Sequence, residues 1–429
     1  MFNSSQILGL NARNRQYLIY NTSKGREIAD SKLLTKKYLK KFEIPTPKVL
    51  KIFHSPEDVF KFDWISGLPD NFVLKPCSGF GGEGIIIVRK KAKFAGEWHL
   101  MNNDIINVET LRLRALDILA GQFSLHNQPD KAFIEERIRI RKIFKKYAFH
   151  GTPDIRVLVF NRVPVLAMLR LPTPDSAGRA NLHQGAIGVG IDLATGITTN
   201  AIYKGQMIKT IPWTKRKING LKIPHWNTIL TLAVKAQEAI AQLGFLGVDM
   251  LLDKERGPLI VELNARPGLE IQNANKIPLK RRLDRVEGLE VLDADHGVRI
   301  AKALFAARFA DRVMVEEGVK TLNVFEKVRI ILPDNKRLEI LAKIDTGAWR
   351  TSLDRALAEN CGLLKKDNVL WAKQVRGSLG SEDRPVINFK YYLAGRKINT
   401  IAGVADRRNL KYAIIIGRRD LIGFLVRPQ

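Results

Sequence analysis

Residues Gly244 to Gly268 read GFLGVDMLLDKERGPLIVELNARPG. The stretch divides into two apolar arms, Gly247–Leu252 and Leu259–Asn264, joined by the charged, Gly-containing turn Asp253–Gly257. Val, Ile and Leu dominate both arms, the composition of a β-hairpin. Acidic and amide residues interrupt them: Asp249 in the first arm, Glu262 and Asn264 in the second. Side chains alternate along a strand, so Glu262 and Asn264 share a face. Folding the hairpin about residue 255 brings Asp249 to that same face. Two carboxylates and an amide oxygen converging there repel unless a cation lies between them. An all-oxygen set selects a hard ion such as Mg2+. Alone, the stretch also fits a solvent-facing hairpin with its polar residues outward.

The rest of the composition bounds the class. A chain of 429 residues can hold two or three cores. With 45% hydrophobic and 27% charged residues it is globular rather than disordered. Lys and Arg total 71 against 43 Asp and Glu, a net +28, which implies a polyanionic partner without choosing among phosphates, nucleic acid, a membrane surface or an acidic peptide. The two cysteines, Cys77 and Cys361, have no metal-type spacing and predict free thiols in a reducing compartment. The N-terminus has no signal-peptide pattern, and no stretch approaches the ~18 apolar residues of a membrane span. The expected location is cytoplasmic, with no membrane partner.

Upstream, Ser31–Phe42 carries apolar residues at 33, 34, 38, 39 and 42, one face of a helix capped by Asp30 or Ser31 and stopped by Ile44-Pro45. Its lysines read as the solvated face. A strand over 71–76 ends at Lys75, and Cys77-Ser78-Gly79-Phe80-Gly81-Gly82-Glu83-Gly84 leads into a second strand. Backbone N–H groups in such a loop can approach phosphate oxygens. No helix or Gly-Lys-[Ser/Thr] follows, which excludes a P-loop and a dinucleotide fingerprint. A helix is expected within 104–126, then a strand ending in Glu135-Glu136. The strand from Pro153 to Phe160 carries Arg156, a charge whose fork suits a phosphate if it is buried and water if the strand is an edge. The lone His183 reads as structural.

In combination these segments resemble the ATP-grasp superfamily. Lys75 with its Gly loop, Glu135-Glu136, Asp154-Ile155-Arg156, the run Asn181 to Gly185, Asp249 and the run Glu262 to Gly268 stand in that family's order. In detail they are similar to the RimK-related alpha-L-glutamate ligase branch over about residues 7–310. The resemblance implies ATP clamped between two α+β subdomains. Lys75 would bind the α- and β-phosphates, with Ser78, Gly79, Gly81, Gly82 and Gly84 closing over them and Asn181 among the nucleotide-binding residues. Glu135 or Glu136 would hold adenine or ribose, Arg156 would stabilise phosphoryl transfer, and Asp249, Glu262 and Asn264 would hold Mg2+ or Mn2+. It implies a ligase that joins a carboxylate, such as that of an amino acid, to an amine through an acyl-phosphate. The partners would be ATP, carboxylate and amine substrates, and an acidic peptide suited to the positive charge. Only ~45 residues precede the first motif strand, too few for the N-terminal α/β domain of typical ATP-grasp ligases, which leaves the acceptor site undefined.

Beyond a helix over 293–311 and a linker, short strands at about 325–332, 338–344, 387–393, 397–404 and 412–416 predict a small β-barrel. Ile344-Asp345-Thr346-Gly347-Ala348, a downstream Ile414-Ile415-Ile416-Gly417, and Arg376 to Val386 where a flap would lie resemble the RimK-associated retropepsin-like family, the so-called ATP-dependent zinc proteases. That resemblance implies a catalytic Asp345, and a homodimer to supply the second carboxylate that an aspartic peptidase needs. Asp345 as a turn-capping residue in a non-catalytic barrel fits the same residues. No His and Cys spacing supports zinc. The expected fold class is α+β, an ATP-grasp domain over 1–311, a linker over 312–322 and an all-β barrel over 323–429. A phosphotransferase, or a basic protein that binds nucleic acid or the ribosome, is the alternative, the second disfavoured by the lack of an RNA-reading aromatic motif.

Overall fold

The structure, a computed structural model, describes residues 7–79, 81–124, 127–305, 320–377, 380–407 and 411–427. Phe80, the expected helix end beyond 305, most of the linker, and Ser378 and Leu379 of the expected flap lie outside them. Two compact units result, Met1–Val298 and Arg299–Gln429. Among the described residues no helix is long and apolar enough to cross a membrane.

In the first unit, after short helical segments between Leu10 and Asp30, helix α1 (Lys32–Lys41) has its N-terminus capped by the Ser31 hydroxyl accepting from Leu34 N. Its inward face is Lys32, Thr35, Lys36 and Leu39. Lys32 and Lys36 are only 6% and 7% exposed, so two of the lysines expected to face water are buried, while Phe42 is exposed. Positions 32, 35, 36 and 39 are themselves a helical stripe. The lysine-bearing stripe is the one that packs, because each buried ammonium finds an oxygen partner described below.

A six-stranded sheet follows in the order β1-β6-β2-β3-β4-β5. Its strands are β1 (Val49–Phe53), β2 (Phe72–Pro76), β3 (Ile86–Lys91), β4 (Glu97–Leu100), β5 (Ile105–Asn107) and β6 (Ala132–Glu136). Helices α2 (Pro56–Lys61) and α3 (Val108–Leu119) cover one face. Phe72, Leu74, Ala132 and Ile134 enter that core with Phe53, Trp64 and Trp98. The two-residue period therefore sends Lys75 and Glu135 to the opposite face.

The second sheet has seven strands in the order β11-β10-β9-β8-β7-β12-β13. They are β7 (Asp154–Phe160), β8 (Val163–Leu171), β9 (Ile187–Ile191), β10 (Thr198–Tyr203), β11 (Gln206–Ile208), β12 (Phe245–Asp253) and β13 (Gly257–Asn264), backed by helix α4 (Trp226–Ala239). The opening stretch is thus the β12–β13 hairpin, with Asp249 opposite Glu262 and Gly247 opposite Asn264. Asp253 Oδ1 closes its turn by accepting from Glu255 N and Arg256 N, both at 2.9 Å. The buried Asn21 side chain ties the open end, donating to Phe245 O at 2.6 Å and Ala265 O at 2.8 Å.

In the second unit six strands close into a barrel, β15-β16-β21-β17-β20-β19, with β19 pairing back to β15. These are β15 (Phe325–Ile331), β16 (Arg337–Asp345), β17 (Ser352–Asp354), β19 (Gly380–Leu393), β20 (Arg396–Ala405) and β21 (Ile414–Gly417). Strand β18 (Val369–Gly377) extends the sheet beyond β19, and β14 (Lys320–Leu322) pairs in parallel with β22 (Phe424–Val426). Inside, the buried Asp420 carboxylate accepts from Thr351 Oγ1 at 2.5 Å, Thr400 Oγ1 at 2.7 Å and the Tyr391 hydroxyl at 3.0 Å. Removing it strands three buried donors. Asp420→Ala should destabilise the barrel by about 2–4 kcal/mol. Hydrogen exchange on the full chain checks this: the amides of Ile414–Gly417 should exchange faster, with those of β7 and β12 unchanged.

Candidate functional site

The hairpin's acids do not stand alone. Asp249 on β12 lies in register with Arg156 on β7 and with Glu262 on β13, giving a row of three side chains across adjacent strands. Strand β7 is interior, so Arg156 does not face water as an edge residue would. Its Nε donates to Asp249 Oδ1 at 2.7 Å and its Nη2 to Oδ2 at 2.6 Å. Arg170 on β8 donates to Asp154 through Nε and Nη2 and reaches Asp249 Oδ2 at 2.8 Å. Asn264 Nδ2 donates to the same oxygen at 3.2 Å. Burial pushes the Asp249 carboxyl up, but Arg156 and Arg170 outweigh it and hold it down at about 2. Burial raises Asp154 to about 6, against the pull of Arg170 and with the push of Asp249.

A second cluster forms where α1 meets the smaller sheet. Glu135 is clasped between Lys75, its ion-pair partner on β2, and Lys36, at 2.9 Å. Lys75 also stacks over the Phe133 ring at 5.3 Å. Burial disfavours the Glu135 charge, yet the two lysines keep its carboxyl below the usual range. Burial pulls the Lys36 ammonium down to about 8 in spite of Glu135, and Lys36 also donates to Pro47 O at 2.8 Å. Glu136 points elsewhere, accepting from Lys48 N and from Arg256, both at 2.7 Å.

Lys32 links the Gly loop to the hairpin. Its Nζ donates to Gly79 O at 2.6 Å and stands 3.8 Å from Glu262 Oε1. The apolar pattern did not single it out, since a lysine beside a capping Ser reads as a helix-surface residue; the 32, 36 spacing on the stripe that includes Leu39 is the one signal that could have.

The Gly loop is shaped from below and faced from across. A Cβ at Gly84 would meet the Phe123 ring at 2.7 Å, so only glycine fits there. A Cβ at Gly81 would lie 3.5 Å from Asn181 Nδ2, which places Asn181 against the loop. Ser78 N already donates to Asp130 Oδ2 at 2.8 Å. His183 is exposed, and its backbone N–H donates to Asn181 Oδ1.

Among the described residues no three His, Cys, Asp or Glu side chains are grouped to hold a metal ion. The donor set of Asp249, Glu262 and Asn264 differs in that its third oxygen is an amide. Glu262, with a side chain 34% exposed, and the oxygen of Asn264, whose nitrogen faces Asp249, suit a hard divalent cation; Asp249 is kept ionised beside them, but its oxygens already accept from Arg156, Arg170 and Asn264, so it would join only by giving up one of those bonds.

In the barrel, Asp345 ends β16 in register with Gly417 of β21. Its Oδ1 accepts from Gly347 N at 2.9 Å and Ala348 N at 3.1 Å, an Asx turn that fixes the carboxylate at the strand end.

Residues 11–288 match the family described as Sugar-transfer associated ATP-grasp. No curated protein matches the chain. Among solved structures, the ATP complex of D-alanine–D-alanine ligase from Bacillus anthracis is 16% identical over 62% of this chain and 66% of its own, with a TM-score of 0.35. The ATP-grasp ligase PsnB with its minimal precursor is 14% identical over 62% of this chain and 64% of its own, at 0.33. A Legionella pneumophila protein of unknown function is 17% identical over 25% of this chain and 93% of its own, at 0.17. With the family matched along most of its length, the chain belongs to the sugar-transfer associated ATP-grasp family.

Proposed function

We propose that the first unit is an ATP- and Mg2+-dependent (or Mn2+-dependent) carboxylate–amine ligase, joining an amino acid such as glutamate to a peptide or amino-acid acceptor through an acyl-phosphate. The observation that carries this reading is Lys32, which touches both the Gly loop at Gly79 and the hairpin at Glu262. One lysine thus spans the loop that would cover the phosphates and a carboxylate of the proposed metal site, which supports their acting on one nucleotide. Lys32 and Lys75 would take the charge of the triphosphate, and Glu135 keeps Lys75 aimed. Asp249, Glu262 and Asn264 would hold the metal ion, whose charge would neutralise that of the phosphates when bound. Arg156 spends Nε and Nη2 on Asp249 and has Nη1 left for a phosphoryl oxygen. In the reaction a substrate carboxylate oxygen bonds to the γ-phosphorus and ADP leaves. The acceptor amine then bonds to the acyl carbon, loses its proton, and inorganic phosphate leaves.

For the second unit the proposed activity is that of a retropepsin-like aspartic peptidase. Asp345, held at a strand end on a Gly turn beside Gly417, supports it. A lone carboxylate cannot share the activating proton, so a second copy of the chain would supply its own Asp345. A ligase and a peptidase on one chain could build and trim the same acidic peptide.

Three measurements bear on these readings. Glu262→Gln, at a partly exposed position, should lower ATP-dependent amide formation by about a hundred-fold or more. Asp249→Asn together with Glu262→Gln leaving turnover intact would sink the ligase, and a stable phosphorylated product without released phosphate would assign a phosphotransferase. For Lys36, deprotonation above about pH 8 removes one of the two cations on Glu135, and Lys75 is then more fully neutralised. The KM for ATP should rise through that pH, by roughly three- to ten-fold, and Lys36→Met should show the higher KM with the step absent. Last, Asp345→Asn should abolish peptide hydrolysis and leave amide formation unchanged; loss of both in a folded protein contradicts independent sites.

A further inference from the structure

Helix α1 has a second face with chemistry on it. Successive residues turn by about 100°, so Lys32, Thr35 and Leu39 point inward, Leu33, Lys37 and Lys40 point to a neighbouring flank, and Lys36 falls between. That flank forms one wall of a cavity of about 1330 Å³, closed on other sides by the Thr46–Val49 segment, Ile52 of the edge strand β1, and the Cys77-Ser78 and Pro129–Lys131 segments. Neither Lys75 nor Arg156, Asp249, Glu262 or Asn264 lines it. It adjoins the site above and shares Lys36 and Ser78 with it.

Five lysines line the cavity: Lys36, Lys37, Lys40, Lys48 and Lys131. The acids there are Glu43 and Asp130, and Asp130 is engaged by Ser78 N. Between the cations lie aliphatic side chains, Leu33, Leu34, Val49 and Ile52. A nucleic acid held as a single strand is gripped by aromatic platforms as well as cations, and among the described residues no Phe, Tyr or Trp lines this cavity. Cations set among aliphatic groups suit instead a chain carrying carboxylates on methylene stems. We propose that this groove binds an acidic, glutamate-rich peptide segment. Its buried member, Lys36, then senses the occupant and reports it to Glu135, hence to Lys75. That this peptide is the acceptor rests on the ligase reading; the binding itself does not.

The test uses the full chain without ATP and a short fluorescently labelled oligoglutamate, with binding followed by anisotropy at fixed salt. The exposed lysines Lys37, Lys40 and Lys48 are changed together to Ala. A control variant removes the same charge elsewhere, at the exposed Lys90, Lys91 and Lys93. The expected result is at least about a ten-fold loss of affinity in the groove variant and little change in the control. Equal losses in both would mean a general field effect and overturn the site, as would no binding by the native chain. A single-stranded RNA oligonucleotide that loses more affinity than oligoglutamate in the groove variant would overturn the peptide assignment. Groove-dependent binding in a protein that forms no amide from ATP would leave the site standing and remove the ligase reading.

Discussion

Everything on the larger sheet's functional face depends on how the charge of Asp249 is balanced. A lone ionised carboxylate buried at mid-strand costs several kcal/mol and would normally protonate. Two guanidinium groups prevent that, one in register on β7 and one diagonal on β8. Arg170 has a second acid in Asp154, so four charges on three adjacent strands hold one another. The arrangement also sets the sheet's register, because a one-residue slip of β12 against β7 would turn Asp249 to the opposite face and take its bidentate partner from Arg156.

The smaller sheet solves the same problem with the signs reversed. There an acid, Glu135, sits between two ammonium groups that come from different elements, Lys75 from the sheet and Lys36 from α1. Lysine is the softer choice, since its charge can be lost when burial is severe, whereas an arginine's cannot. The arginines thus carry fixed charge, whereas Lys36 carries a charge that responds to pH.

Much of this was legible in residues 244–268 because strand alternation is strict. Period two fixed Glu262 and Asn264 on one face, and a short turn brought Asp249 beside them, without any knowledge of other strands. What alternation cannot tell is which distant strand lies on the hairpin's other side; Arg156 was visible as a charge in an apolar strand, but its partner was not. Helix α1 was misread for a related reason. A lysine stem is long and apolar, and the stripe through 32, 36 and 39 competes with the stripe through 34 and 38 on nearly equal terms; only the acceptors at Gly79, Pro47 and Glu135 decide between them. In the barrel, β17 was missed because three residues are too few to show a period, and its place is set by β20 and β21 on either side.

Asn21 has a bearing on how the chain comes to be folded. Its amide holds Phe245 and Ala265, residues 224 and 244 positions later. During synthesis from the N-terminus, the segment around residue 21 emerges long before the strands that satisfy it, and Lys32 and Lys36 of α1 likewise emerge before Gly79 and Glu135. The larger sheet cannot be sealed until its last hairpin has left the ribosome and met the first few dozen residues. Such long loop closures are slow. The docking of Asn21 is thus a closing step, one that ties the ends of the first unit across more than two hundred residues.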